Sequence, residues 1–182
     1  MEVYVLPLSS AQKRLWYQEM IHPGNNAYNI PLGLRLQGDL DKQALEKVFQ
    51  TIINRHEILR TRFAVEDGEP VQLVYPELDF HLECKVLESE DELIAESRKP
   101  FNLATDELIR ATLYQVQPRE HILLVNMHHI ISDGWSLGIF FREFSDLYSA
   151  YVTDSQASLP ELPIQYGDYA EWQETWLHEA MV

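Results

Sequence analysis

The sequence predicts an α/β fold, a mixed sheet with helices packed on it. Three observations carry this prediction. Segments with period-two apolar alternation and segments with period 3.6 are interleaved along the chain, without strict βαβ alternation. Several strand-like segments follow one another directly through turn residues such as Asp67-Gly68 and Pro118, so hairpins join them. The remaining segments are long and apolar on one side, as helices that cover a sheet must be. With 182 residues and 46% apolar content, the chain suits one large domain or one lobe of something bigger.

Val3 to Leu8 is short, apolar and broken by Pro7. Ser9 or Ser10 can cap a helix from Ala11 to about Met20, which the loop His22-Pro23-Gly24-Asn25-Asn26 closes. Ile30, Leu32, Leu34 and Leu36 alternate as a half-buried strand ending at Gly38-Asp39. Asp41 can cap the next helix, where Leu45, Val48, Phe49 and Ile52 fall on one face. After Arg55-His56-Glu57, the residues Leu59, Thr61, Phe63 and Val65 alternate as a strand, and its return strand runs from Val71 to Tyr75. Phe80 to Val86 reads as a further strand, and Ser89 starts an acidic surface helix that stops at Pro100. Leu108 to Val116 and His121 to His128 are two strands joined at Pro118. The Leu137 to Tyr151 helix carries a wide apolar stripe read as core. A polar loop, Thr153 to Pro163, leads to a last helix from about Gln165, in which Trp172 and Trp176 are read as packing residues. Neither internal repeats nor low-complexity segments occur.

Charge narrows the function classes. There are 14 Lys+Arg against 29 Asp+Glu, a net charge of −15, which argues against nucleic-acid binding and against adhesion to anionic lipid. The single Cys84 can form no internal disulfide, which fits a reducing compartment, and it is expected as a partly buried thiol. The N-terminus lacks the pattern of a signal peptide, and no apolar run approaches the roughly 18 residues of a membrane span. A soluble cytoplasmic protein is expected.

The chain's focus is Met127-His128-His129-Ile130-Ile131-Ser132-Asp133-Gly134-Trp135-Ser136, at the crossing from a buried strand to an amphipathic helix. Imidazole moves protons near neutral pH. Gly134 permits a sharp turn and a close approach, and the following helix start offers unpaired N–H groups and positive potential. These are parts of an acid/base or oxyanion-stabilising site. On a strand His128 and His129 point to opposite faces, so only one of them addresses a given site. That, and the lack of matching Cys/His spacing elsewhere, argues against a metal. Asp133 has two readings: an N-cap of the helix, or an ion-pair partner of a buried arginine, with Arg55 and Arg60 as candidates.

The segment His128 to Gly134 resembles the HHxxxDG motif of condensation domains of nonribosomal peptide synthetases. Ser9-Ser10-Ala11-Gln12-Lys13-Arg14-Leu15-Trp16 resembles the first motif of that family, Arg55 to Phe63 the second, and Tyr166-Gly167-Asp168-Tyr169-Ala170-Glu171-Trp172 the fourth. Four motifs in order span the chain. Pro100-Phe101-Asn102-Leu103 departs slightly, since the family often has Asp in third place.

The resemblance implies a lobe similar to chloramphenicol acetyltransferase, two of which form a V around a tunnel. It implies amide-bond formation, in antibiotic and secondary-metabolite biosynthesis, between a donor acyl or peptidyl thioester and an acceptor aminoacyl thioester. Both are carried on the 4′-phosphopantetheine of partner carrier proteins, and no cofactor is bound by this chain itself. It casts His129 at the acceptor amine, as general base or positioning group, Gly134 as a backbone donor near the tetrahedral oxyanion, and Asp133 as structural, paired with an arginine of the second motif. The Ile130-Ile131-Ser132-Asp133-Gly134-Trp135-Ser136 context is similar to the type joining two L-residues. An epimerisation lobe and a non-catalytic carrier-docking lobe are the alternatives. Family members are more than twice as long, so residues 1–182 are expected to be the N-terminal lobe without its C-terminal partner lobe, inactive in isolation.

Overall fold

The computed structural model describes residues 2–180. In chain order the elements are β1 (Tyr4–Pro7), α1 (Ser10–Ile21), β2 (Asn29–Gln37), α2 (Lys42–Arg55), a 3-10 turn (Glu57–Arg60), β3 (Thr61–Glu66), β4 (Glu69–Val74), β5 (Glu83–Val86), α3 (Glu90–Arg98), β6 (Ile109–Gln117), β7 (Glu120–His128), α4 (Gly134–Val152) and α5 (Tyr166–Ala180). The strands divide into two sheets, one ordered β1-β4-β3 and one ordered β2-β7-β6-β5. The larger sheet is mixed, as expected: β5 runs parallel to β6, and the other pairs are antiparallel.

Local chemistry accounts for the element ends. Ser9 and Gln12 form a reciprocal capping box at α1, and Asp41 caps α2 by accepting the Ala44 N–H. Asp67 and Gly68 both have positive φ, 51° and 87°, which lets a two-residue turn join β3 to β4. Asn102 accepts the Ala104 N–H at 3.0 Å through its side-chain oxygen, a local turn that Asn and Asp make equally well.

Two strand expectations are too long. Leu59 belongs to the 3-10 turn, where the Leu59 N–H returns to His56 O at 3.0 Å and the Thr61 hydroxyl donates to Glu57 O at 2.7 Å. Phe80 and Leu82 lie outside β5 because α2 side chains take their N–H groups. Gln50 Oε1 accepts from Phe80 and Glu46 Oε2 from Leu82, each at 2.9 Å, and both side chains drop into the core.

The core lies between one face of the larger sheet and the pair α2 and α4. Leu123, Val125 and Met127 of β7 meet Val48, Phe49 and Ile52 of α2 and Phe140, Phe144 and Leu147 of α4. Phe49 stacks on Phe80 with ring centroids 4.8 Å apart. The opposite face carries α3, whose last turn is held by side-chain amides: Asn126 donates to Ser97 O at 3.0 Å and Asn29 to Lys99 O at 2.9 Å. Helix α5 presses on β1 so closely that a Cβ at Gly167 would run into Leu6.

Two burial expectations are corrected. Cys84 is exposed, because it stands on an edge strand. Trp172 and Trp176 are 60% and 53% exposed. They stack on each other along the outer face of α5, with centroids 6.3 Å apart, instead of entering the core. Among the described residues no helix is long and apolar enough to cross a membrane.

Candidate active site

Strand β7 delivers the two histidines to different environments. His128 ends the strand and is 2% exposed. Phe101 meets its ring edge-on at 6.1 Å, and Tyr28 lies at 6.3 Å. Its Nδ1 accepts the Ile130 N–H at 3.0 Å, so its single proton sits on Nε2. Burial, helped by neighbouring His129, pushes its pKa down to about 4. His128 is therefore a neutral bracket for the turn that follows. The His129 N–H extends the pairing with β2 by donating to Tyr28 O at 2.8 Å, while the residue itself is exposed and lines a cleft on the other side.

That cleft has a volume of about 450 Å³ and lies between α1, the His129–Ser136 segment and the start of α5. Gln12, Arg14, Ile58, Asp133, Trp135 and Tyr166 line it beside His129. A smaller cavity of about 90 Å³ shares Ile58, Ile131, Ser132 and Ser136 with it and runs on to His56, Ile139 and Phe140.

Asp133 is the N-cap of α4. Its Oδ1 accepts the Ser136 N–H and the Ser136 hydroxyl, both at 2.8 Å, and its own N–H donates to Ser136 Oγ at 2.7 Å. The Ser136 N–H, aided by nearby His129, holds the carboxyl below its usual range against the opposing effect of burial. The alternative reading, an ion pair with Arg55 or Arg60, is corrected. Arg55 Nε donates to Glu143 Oε1 at 3.1 Å, and its guanidinium also reaches Pro160 O. Arg60 reaches Tyr75 O and lies 3.6 Å from Glu57. Asp133 stands exposed at the helix end, whereas Glu143 is 4% exposed on α4, and a buried carboxylate has the greater need of charged partners. Gly134 begins α4 with no positive φ, and a Cβ there would meet nothing within 4 Å. The sharp turn expected at this glycine is absent, and the space over the helix start is open.

Further residues that sequence reasoning missed hold this arrangement. His56 Nε2 lies 2.7 Å from Glu143 Oε2, so one buried carboxylate joins the second motif to α4. Gln165 ties the same segment to α5: its Nε2 donates to Arg55 O at 3.0 Å and its Oε1 accepts the Glu57 N–H at 3.1 Å. Gln72 Nε2 donates to Pro7 O at 2.8 Å, which turns its Oε1 toward Gln12 Nε2 at 3.0 Å. Gln12 in turn takes the Ser9 N–H and extends its Nε2 to Ile130 O at 3.5 Å, one residue past His129. Ser9 Oγ lies 2.8 Å from the Tyr166 hydroxyl. The four sequence motifs thus converge on one cleft. Among the described residues no group of three or more His, Cys, Asp or Glu could hold a metal ion.

Comparison with known proteins gives a consistent picture. The family model for the Condensation domain matches residues 3–181. One of the linear gramicidin synthase proteins of Brevibacillus parabrevis is 47% identical over 182 residues, covering 94% of this chain and 4% of that protein. Bacitracin synthase 2 of Bacillus licheniformis is 44% identical over 169 residues, covering 92% of this chain and 6% of that one. The X-domain from teicoplanin biosynthesis superposes with a TM-score of 0.88 at 28% identity, over 100% of this chain and 40% of its own. The starter condensation domain of rhizomide synthetase RzmA, at 19% identity, shares the fold with a TM-score of 0.80 over 96% of this chain and 44% of its own. This chain spans a few per cent of the synthetases and less than half of the structural relatives.

Proposed function

We propose, from the premise that this chain belongs to the condensation-domain family, that it is the N-terminal lobe of a domain that forms peptide bonds in nonribosomal peptide biosynthesis. The observation that carries the reading is His129. It is exposed in a cleft that four family-like motifs build together, while its neighbour His128 is sealed behind it.

The reactants are a donor acyl or peptidyl thioester and an acceptor aminoacyl thioester, each on the 4′-phosphopantetheine arm of a carrier protein in the cytoplasm. A thioester is already activated, so no nucleophilic side chain is needed, and an α-amine with a pKa of roughly 8 needs modest help to attack. His129 takes or holds the amine proton. The Gly134 N–H at the start of α4 is the backbone donor for the developing oxyanion, since Asp133 already takes the Ser136 N–H of the same turn. Asp133 keeps that helix start in place, and His128 fixes the turn that presents His129. Arg55 supports the site from behind through Glu143, and Arg60 braces the second motif.

A second lobe closes the cleft into a tunnel. The exposed Trp172 and Trp176 suit a face that another unit covers. The lobe alone holds neither tethered substrate in line and is inactive. A docking role is the second reading, favoured by the likeness to the X-domain, which has been solved in complex with OxyB from teicoplanin biosynthesis.

The test is to supply the parent two-lobed domain with loaded donor and acceptor carriers and to follow the product by mass spectrometry. An amide product on the acceptor carrier, lost in the His129→Ala variant, is expected. Carrier binding without any product would favour docking.

A further inference from the structure

We propose that the Tyr166 hydroxyl donates a hydrogen bond to the carbonyl oxygen of the thioester bound in the His129 cleft, which makes it a further catalytic residue. The inference rests on the acyl-transfer reading above.

Tyr166 is the first residue of α5 and lines the same cleft as His129 and Asp133. Tyr166, Asp133 and His129 thus share one cleft with Gln12 of α1. The ring is held firmly. Tyr169 packs on it with centroids 5.6 Å apart. Gln165 anchors the chain just before it to Arg55 and Glu57, and Gly167 seats the chain just after it on Leu6.

The hydroxyl can act as donor or acceptor in the bond it makes. Its protein partner is Ser9 Oγ at 2.8 Å. Ser9 is the N-cap of α1, so a lone pair of its oxygen already accepts the Gln12 N–H at 3.2 Å. A capping serine accepts with its oxygen and keeps its own proton to give. When Ser9 gives that proton to Tyr166, the phenol accepts from behind and is left to donate forward into the cleft. Burial also pushes the Tyr166 phenol up from its ordinary pKa, with Tyr169 and Asp133 adding to the effect and the Ser9 bond opposing it. The group stays a donor throughout the neutral range.

The reaction calls for such a donor. As the amine attacks, the carbonyl π pair moves onto oxygen. It returns when the C–S bond breaks and the thiolate leaves. A fixed donor aimed at that oxygen stabilises the charge where it develops. The helix start at Gly134 supplies one backbone donor from α4, and Tyr166, which lines the cleft with Asp133 and Ser136, supplies a side-chain donor from α5. No proton is transferred from Tyr166; the phenol only donates.

The experiment measures kcat and KM for product formation by the parent domain with Tyr166→Phe, alongside the unmodified domain. Removing one such donor costs on the order of 10² in kcat, so a fall of about tenfold or more is expected, with KM within about twofold. A second variant carries 3,5-difluorotyrosine at position 166, which keeps the ring and hydroxyl but lowers the phenol pKa. The basic limb of its kcat–pH profile should move to lower pH, a change that a packing role would not produce. Product from the unmodified domain together with a Phe variant within twofold of it, or an unmoved basic limb, overturns the proposal while sparing the acyl-transfer reading. If the Phe variant does not fold, the difluorotyrosine profile decides alone. Absence of product from the unmodified domain overturns both.

Discussion

The two faces of β7 end one residue apart and in opposite chemistry. On the closed face His128 lies under Phe101 and Tyr28 with its Nδ1 committed to the Ile130 N–H. On the open face His129 looks into a cleft of about 450 Å³. The residue type is the same and the strand alternation is ordinary. What separates the two histidines is solvation: the His128 ring is held neutral by its surroundings and spent on a backbone bond, and the His129 ring is exposed, as its proposed role at the acceptor amine requires. The open face can be open because it is supported from behind, by the Glu143 carboxylate between Arg55 and His56 and by the amides of Gln12 and Gln72.

The strongest way to break this comparison is to remove that support. Glu143→Ala leaves the partly buried Arg55 and His56 without their carboxylate, which costs about 3 kcal/mol, the low end for a broken buried pair. Urea denaturation of the variant checks it, and a loss below about 1 kcal/mol would place the support elsewhere.

A pH titration sharpens the closed side. The folded pKa of His128 is about 4, below its ordinary 6.5. Between those values the unfolded chain binds the proton and the folded chain refuses it. Stability from this residue is therefore complete above pH 6.5, falls as the pH drops toward 4, and levels off below. The full loss is on the order of 3 kcal/mol. Comparing the unmodified chain with His128→Gln at pH 7 and at pH 4.5 isolates it from the carboxylates. The unmodified chain should lose more stability than the variant over that interval.

Asp133 provides the smallest effect. As a cap on an exposed helix end, its replacement by Ala costs about 1 kcal/mol. A loss of 3 kcal/mol or more in thermal unfolding would restore the buried ion-pair reading that the positions of Arg55 and Arg60 contradict.

Much of this was legible in the sequence. Apolar periodicity located α2, α4 and the strands of the larger sheet, and cap residues marked the starts of α1, α2 and α4. Alternation along β7 alone separates the two histidines. What stayed hidden depends on contacts between distant segments. Asp133 follows the histidines in the chain and so draws attention as a partner for arginine, but Glu143 is the carboxylate that the fold buries. Its signal was present: it lies on the α4 stripe with Phe140, Phe144 and Leu147, where a charge needs a partner. Gln72 falls on the buried phase of β4 with Pro70 and Val74, but Val71 and Leu73 make the other phase equally apolar and mask it. The Trp172 and Trp176 error came from composition. Large aromatics usually pack, and only the direction of the α5 outer face reveals that these do not. The sequence predicts a strand at Phe80 because nothing local shows that α2 side chains capture its N–H.

The most direct test of the account is a paired measurement in the parent domain, reading both thermal unfolding and product formation for His128→Ala and His129→Ala. The account predicts a crossing. His129→Ala should unfold within about 0.5 kcal/mol of the unmodified domain, as an exposed substitution does, while product formation falls by about 10²-fold or more, the typical worth of a positioned acid or base. His128→Ala should lose at least about 1 kcal/mol of stability, the cost of leaving the buried Ile130 N–H without its acceptor. Equal loss of stability in the two variants, or near-normal product from His129→Ala, would contradict it.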